Sequence, residues 1–342
     1  MSRKRIWLCI LATLFLSTGA RSQGSSSVTK VGITAAPFLE IGVGAKAYGM
    51  GGAFVGTAND ASALYWNPSG MARLPRSEGS FVHIDWLADI NFDFIGFVLP
   101  AGRIGSFGLS ITSLSMDDML VRTEDRPTGT GEYFKTGSMA IGASYAINLT
   151  DRFSIGFTGK YLREQIWKET ATGIAFDIGT LFTTNFHGMR IGATLSNFGM
   201  DMRMAGEDLL VYHDIDQTQM GNNDKIFAEL QTESWPLPLT FQVGVAMEII
   251  QSGVNRLTLA LDAVQPTDNT ESINLGTEYA LREWVFLRAG YRNLFLKDSE
   301  EGLTFGAGAI LRFGTMKLKV DYSYAQFGVF NDIQCFAIGI VL

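Results

Sequence analysis

Residues 316–324 alternate strictly: Met316, Leu318, Val320, Tyr322 and Tyr324 fall on one side of an extended chain, and Lys317, Lys319, Asp321 and Ser323 on the other. Successive side chains of a strand point to opposite faces, so a period of two predicts one oily and one wet surface. Leu239, Phe241, Val243, Val245, Met247 and Ile249 oppose Thr240, Gln242, Gly244, Ala246 and Glu248 in the same way. Phe153, Ile155, Phe157 and Tyr161 oppose Ser154, Gly156, Thr158 and Lys160, and stretches at 257–262, 273–279 and 303–312 repeat the pattern. Phe336, Ile338, Ile340 and Leu342 give the final segment one apolar face. Turn signals such as Asn148-Leu149-Thr150-Asp151 and Arg312-Phe313-Gly314-Thr315 leave segments of roughly ten residues, the length of tilted strands that cross a bilayer.

An oily face makes the core of a soluble sandwich, or it meets lipid in a membrane barrel whose polar face lines the lumen. Glycine, alanine and serine crowd the inner face, and Trp86, Phe97, Tyr161, Trp284, Tyr291 and Tyr324 sit near strand ends. Both features favour the barrel, and lipid demands that every strand edge be paired by closure. Candidates from Glu78 onward predict about fourteen strands, an even number, with residues 116–134 the least clear. The fold class is therefore all-β, a transmembrane antiparallel β-barrel. Hydrophobic residues make up 46% of the chain and mean hydropathy is +0.14. No apolar run after Leu16 approaches the roughly 18–20 residues of a membrane helix.

The chain opens with Arg3, Lys4 and Arg5, an apolar run at 6–16, and small residues at 17–20, the layout of a secretory leader. Cleavage is expected near residues 20–23, which divides the chain into a leader (1–23), an N-terminal segment with a short helix (24–75) and a barrel (76–342). Cys9 lies within the apolar run instead of at its end, which argues against a lipid-modified cysteine. Only Cys335 then remains, so the exported chain has no internal disulfide. Loss of Arg3, Lys4, Arg5 and Arg21 leaves 23 of the 27 basic residues against 34 acidic ones, a formal charge of −11. Such a balance excludes nucleic acid as a partner and leaves the lipid of an outer membrane as the expected surroundings.

Residues 42–74 differ in character. They contain Gly44-Ala45-Lys46-Ala47-Tyr48-Gly49-Met50-Gly51-Gly52-Ala53-Phe54-Val55, then Asp60-Ala61-Ser62-Ala63-Leu64-Tyr65-Trp66-Asn67-Pro68-Ser69-Gly70. The glycines permit close backbone approach; Asp60 caps a short helix through Trp66, and Asn67-Pro68-Ser69-Gly70 stops it. Gly49, Gly51 and Gly52 do not make a dinucleotide fingerprint, since no strand-turn-helix unit surrounds them. This run resembles the N-terminal signature of the PorV/PorQ proteins and, more distantly, of the FadL long-chain fatty-acid transporters. The resemblance continues through Ser196-Asn197-Phe198-Gly199, Gly221-Asn222-Asn223-Asp224 and Pro236-Leu237-Pro238-Leu239.

The resemblance implies a fourteen-stranded barrel with the N-terminal segment folded into the lumen as a plug. In the FadL branch the Asn-Pro-Ala element marks a lateral opening; here Ser69 replaces the alanine. On that basis Gly49, Gly51, Gly52, Asp60, Tyr65, Asn67 and Pro68 are the plug and opening candidates. The chain is shorter than typical fatty-acid transporters, which favours the PorV/PorQ side. That side implies a binding and shuttle component of type IX secretion, with a secretion pore and exported cargo proteins as partners. The long acidic loop at 200–235 exceeds a simple turn and supplies docking candidates Leu209, Tyr212, Ile226 and Phe227. The alternatives are a passive transporter of long-chain fatty acids or other hydrophobic small molecules, and a purely structural barrel.

No enzyme chemistry is expected. His83, His187 and His213 share no ligand spacing, there is no Gly-x-Ser-x-Gly elbow, and Cys335 stands alone. Asp214, Asp216, Asn222, Asn223 and Asp224 offer oxygen ligands for calcium, but their glycine is out of register, and a solvated acidic loop is the simpler reading. No cofactor or metal is expected. Inner-face charges Lys160, Asp177, Arg190, Glu278, Arg288, Arg292, Lys317, Lys319 and Asp321 are expected to form a salt-bridged lumen network.

Overall fold

The computed structural model describes residues 31–215, 218, 225–296, 299–330 and 332–342; the expected leader lies outside them, as do Asp216, Asn222, Asn223 and Asp224. Fourteen long strands form one ring. They are β1 (Glu78–Asp85), β2 (Asn91–Pro100), β3 (Ser106–Ser115), β4 (Thr136–Asn148), β5 (Phe153–Ile166), β6 (Glu169–Thr183) and β7 (Arg190–Gly199). The ring continues with β8 (Thr240–Gln251), β9 (Asn255–Pro266), β10 (Ser272–Leu281), β11 (Val285–Leu294), β12 (Glu301–Phe313), β13 (Met316–Phe327) and β14 (Ile333–Val341). Every neighbour is antiparallel, and pairing of β1 with β14 closes the ring.

Register explains how the sequence pattern becomes a membrane surface. Val320, Ile338, Phe81, Ile95, Ile111, Ile141, Tyr161 and Ile174 stand opposite one another strand by strand, across eight consecutive strands. All eight are exposed. A continuous apolar girdle of this extent has no place on a water-soluble monomer and matches the lipid-facing band of an outer-membrane barrel. Alternate positions turn inward, where Ser144, Thr158, Asp177, Thr258, Asp262, Glu278 and Arg288 are buried.

The two ends differ. Residues 116–135 and 200–239 make the long connections at one end, while 149–152, 252–254 and 314–315 make tight turns at the other. Short turns face the periplasm in such barrels and long loops face outward. Residues 116–134, the least legible in sequence, form a loop carrying a two-residue ladder between Met119–Leu120 and Tyr133–Phe134. Trp86, expected among the interfacial aromatics, instead packs inward with its ring 5.8 Å from that of Phe327. It follows the last residue of β1, where the chain leaves the pleat and the period of two no longer fixes the facing side.

Candidate functional site

Residues 35–74 pack against the inner faces of strands on every side of the ring. A 3-10 turn (Pro37–Glu40), helix α1 (Ala45–Gly49), helix α2 (Ala63–Trp66) and a second 3-10 turn (Pro68–Arg73) carry the segment. Helix α1 lies on β11 to β14, and the second 3-10 turn lies on β2 to β6. Phe38, Val43, Met50, Phe54, Leu64, Trp66 and Met71 are buried, so a chain with no conventional barrel core gains one from its own N-terminus.

Glycine makes the fit possible where backbones meet. Gly51 has φ +62°, and a Cβ there would stand 2.7 Å from the carbonyl oxygen of Leu275. Only glycine takes both that conformation and that space without strain. Gly52 also has positive φ, and Gly49 lies against Gly306. On the opposite wall, Gly156 and Gly179 leave room for Pro68 and Asn67.

Asn67 ties the segment to the wall. Its Nδ2 donates to the carbonyls of Val55 and Thr180, each at 3.0 Å, and its Oδ1 accepts from Ser69 N (3.2 Å) and Ser69 Oγ (2.6 Å). Asp60 Oδ1 accepts from Ser62 N (2.9 Å) and Oγ (2.5 Å) just ahead of α2. Tyr65 donates its hydroxyl to Leu39 O at 2.9 Å. Burial pushes the Tyr48 and Tyr65 phenols upward from their ordinary range.

Sequence reasoning missed one inner anchor. Asp262 Oδ2, on β9, accepts from the backbone N–H groups of Phe54 and Val55, each at 2.8 Å. An inward carboxylate in an alternating strand was its only signal. The expected charge network forms: Glu278 meets Arg288 (2.8 Å), Arg256 (3.0 Å) and Lys46 (3.7 Å), and Arg288 continues to Asp321 (2.6 Å). Lys160 pairs with Asp177 (2.8 Å), Arg190 with Glu248 (2.7 Å), Arg292 with Glu301 (3.0 Å) and Lys319 with Glu78 (2.7 Å). Lys317 has no ion pair among the described residues.

Above the packed segment, at the long-loop end, a cavity of about 450 Å³ opens. Phe38, Glu40 and Tyr65 form its floor, with Trp86, Lys160, Asn197, Arg292 and Glu301 among its walls. Glu40 lines the cavity and is exposed to its open space. Burial, then the Asp268 carboxylate, push it to about 7; Arg292 opposes the rise and Glu301 adds to it. A smaller cavity of about 310 Å³ abuts the first at Asn197 and is lined by Ile33, Phe198, Pro236, Leu237, Leu239 and Asp268.

Asn197 also marks an irregularity in the wall. The β6–β7 register shifts between Phe176 and Ile178, Asn197 adopts φ +63°, and its N–H donates to Asp177 Oδ1 at 2.8 Å. The same device recurs on β11, where Asn293 has φ +56° and its N–H donates to Asn274 Oδ1 at 2.9 Å. Asparagine tolerates this backbone region better than most residues. Beside Asn67 and Pro68 the β5–β6 ladder is continuous, and the β6–β7 ladder is continuous from Ile178 to Thr183, just past its register shift.

In the long loop, Leu210–His213 pairs with Ile226–Glu229 as a hairpin. Tyr212 and Phe227 stand opposite each other with ring centroids 4.9 Å apart, and they are 66% and 69% exposed. Ile226 and Leu209 are half-buried. No group of metal-ligating side chains occurs among the described residues.

The model for the type IX secretion system protein PorV matches residues 24–208, more than half of the chain. The chain belongs to the PorV family. Members of this family are outer-membrane components of type IX secretion, and the barrel and its girdle point to the same membrane. A comparison with curated proteins returns no match. Among solved structures the chain is similar to the CymD monoaromatic hydrocarbon channel (12% identity, covering 88% of this chain and 97% of that one, TM-score 0.56). It is also similar to the toluene transporters TodX of Pseudomonas putida (12%, 88% and 97%, 0.53) and TbuX of Ralstonia pickettii (14%, 88% and 98%, 0.52). At such identity the likeness establishes the fold they share, a FadL-like barrel.

Proposed function

We propose that this PorV-family barrel acts by binding: its outer hairpin docks exported proteins or the secretion pore, and its lumen, plugged by residues 35–74, passes nothing. The hairpin carries the reading. It holds Tyr212 and Phe227 side by side in solvent, their ring planes tilted by 39°, and exposed paired aromatics are the side chains from which binding hot spots are built. A lumen packed backbone to backbone around Gly51 and Asn67 supports the same conclusion, because a permeant would have to displace that packing. Deleting residues 207–233 is expected to leave the barrel inserted and heat-resistant while secretion of cargo stops; unchanged secretion would discard the docking role.

A second reading rests on a separate observation. The outer cavity adjoins an apolar-lined recess beside the register shift at Asn197, an entry for hydrophobic small molecules on this reading. Uptake of a labelled fatty acid by vesicles with and without the protein decides it: faster uptake with the protein supports transport, and equal uptake removes it.

A further inference from the structure

Two carboxylates at the outer mouth have no ion pair among the described residues. Lys160 is already matched by Asp177 at 2.8 Å and Asn197 Oδ1 at 2.5 Å, and Arg292 by Glu301 at 3.0 Å. Arg292 also lies over the Tyr48 ring, 5.6 Å from its centroid. Glu40, which projects into the larger cavity, makes no ion pair with any described residue. Asp268, on the connection between β9 and β10, is 7% exposed, and its Oδ1 has no hydrogen-bond partner. Thr267 and Asp268 line the smaller cavity while Asn269 and Thr270 line the larger, so this connection is the partition between the two. A buried carboxylate oxygen left without a partner is costly, and an uncompensated pair of negative groups beside a cavity attracts positive charge.

The surroundings narrow the class of cation. Phe38, Tyr65, Trp66 and Trp86 give the cavity an aromatic lining, which suits a weakly hydrated organic cation through its apolar body and the ring faces. The volume falls within the range of small-molecule sites. We propose that the outer cavity binds an organic cation, a primary ammonium or guanidinium group on an apolar body, with Glu40 receiving the charge, Asp268 reinforcing the negative field from across the partition, and the aromatic wall receiving the body. Two sources share that chemistry: a free amine, and a lysine or arginine side chain of a polypeptide entering the mouth.

The test uses the full exported chain in lipid nanodiscs, with benzylamine as the probe and benzyl alcohol and benzoate as isosteric controls. Heat of binding and fluorescence of the cavity tryptophans are the readouts. Benzylamine is expected to bind saturably and at least tenfold more tightly than either control. Glu40→Gln, which alters a side chain open to the cavity, is expected to weaken benzylamine binding about tenfold and leave benzyl alcohol unaffected. A short lysine-containing peptide forms the second arm: competition with benzylamine at lower concentration assigns the site to polypeptide, and absence of competition assigns it to free amines. Equal binding of benzylamine and benzyl alcohol, tighter binding of benzoate, or no binding of any probe or peptide overturns the proposal. Deletion of residues 207–233 is expected to leave benzylamine binding in place, so the docking reading and this one fail separately.

Discussion

Asn67 shows how much a single side chain can decide. Its amide makes four short contacts, one of them to Thr180, 113 residues away. Replacement by alanine leaves the Val55 and Thr180 carbonyls short of a donor, and orphaned buried partners cost about 1–3 kcal/mol. Asn67→Ala is therefore expected to insert normally and to lose that much unfolding free energy, so that its urea midpoint falls; an unchanged midpoint would show that these bonds carry no stability. The stop signal at Asn67 and Pro68 was legible in sequence. Its partner on β6 was not, because a wall carbonyl leaves no trace in residue type. Glu40 offers a test in pH. Its carboxyl is raised from an ordinary 4.5 to about 7, first by burial and then by Asp268. The neutral form is thus the one the fold favours, and its stabilising contribution is complete below the ordinary value and lost as pH rises through about 7. Glu40→Gln removes this titration, so melting temperatures of variant and parent are expected to diverge in the variant's favour between about pH 5 and pH 8. Parallel curves would contradict the assignment.

Strands and turns were the most readable elements, because lipid on one side and lumen on the other impose the period of two on every crossing. Met316 to Phe327 became β13 with Lys319 and Asp321 inward, as its alternation required. Register shifts were not readable: Asn197 and Asn293 look like ordinary strand asparagines until their left-handed backbones bring their N–H groups onto Asp177 and Asn274. The hairpin at Leu210–His213 and Ile226–Glu229 was visible only as apolar pairs within an acidic loop, since a ladder of four residues has little periodicity to show. Its exposed aromatics support a distinct prediction. The double change Tyr212→Ser and Phe227→Ser is expected to move barrel stability by less than about 0.5 kcal/mol, as surface changes do. Capture of partners from detergent-solubilised membranes is expected to fall. Retained capture with both rings removed would relocate the docking surface.

Fourteen strands close into one ring, and closure is a property no single segment carries; it became predictable only because lipid forbids an open edge. The lumen is a second global feature. Lys46 to Glu278, Phe54 and Val55 to Asp262, and Asn67 to Thr180 fasten the N-terminal segment to strands far apart in the chain. They leave open space at the long-loop mouth, where the cavity lies. Everything proposed for the mouth and the hairpin presupposes that the girdle through Phe81, Ile95, Ile111, Ile141 and Ile338 faces hydrocarbon. Spin labels placed singly at Ile95, Ile111, Ile141 and Ile338 in a Cys335→Ser background measure this directly in reconstituted bilayers. The expected result at all four sites is strong relaxation by membrane-dissolved oxygen and weak relaxation by a water-soluble nickel chelate; dominance of the nickel chelate at these positions would contradict it.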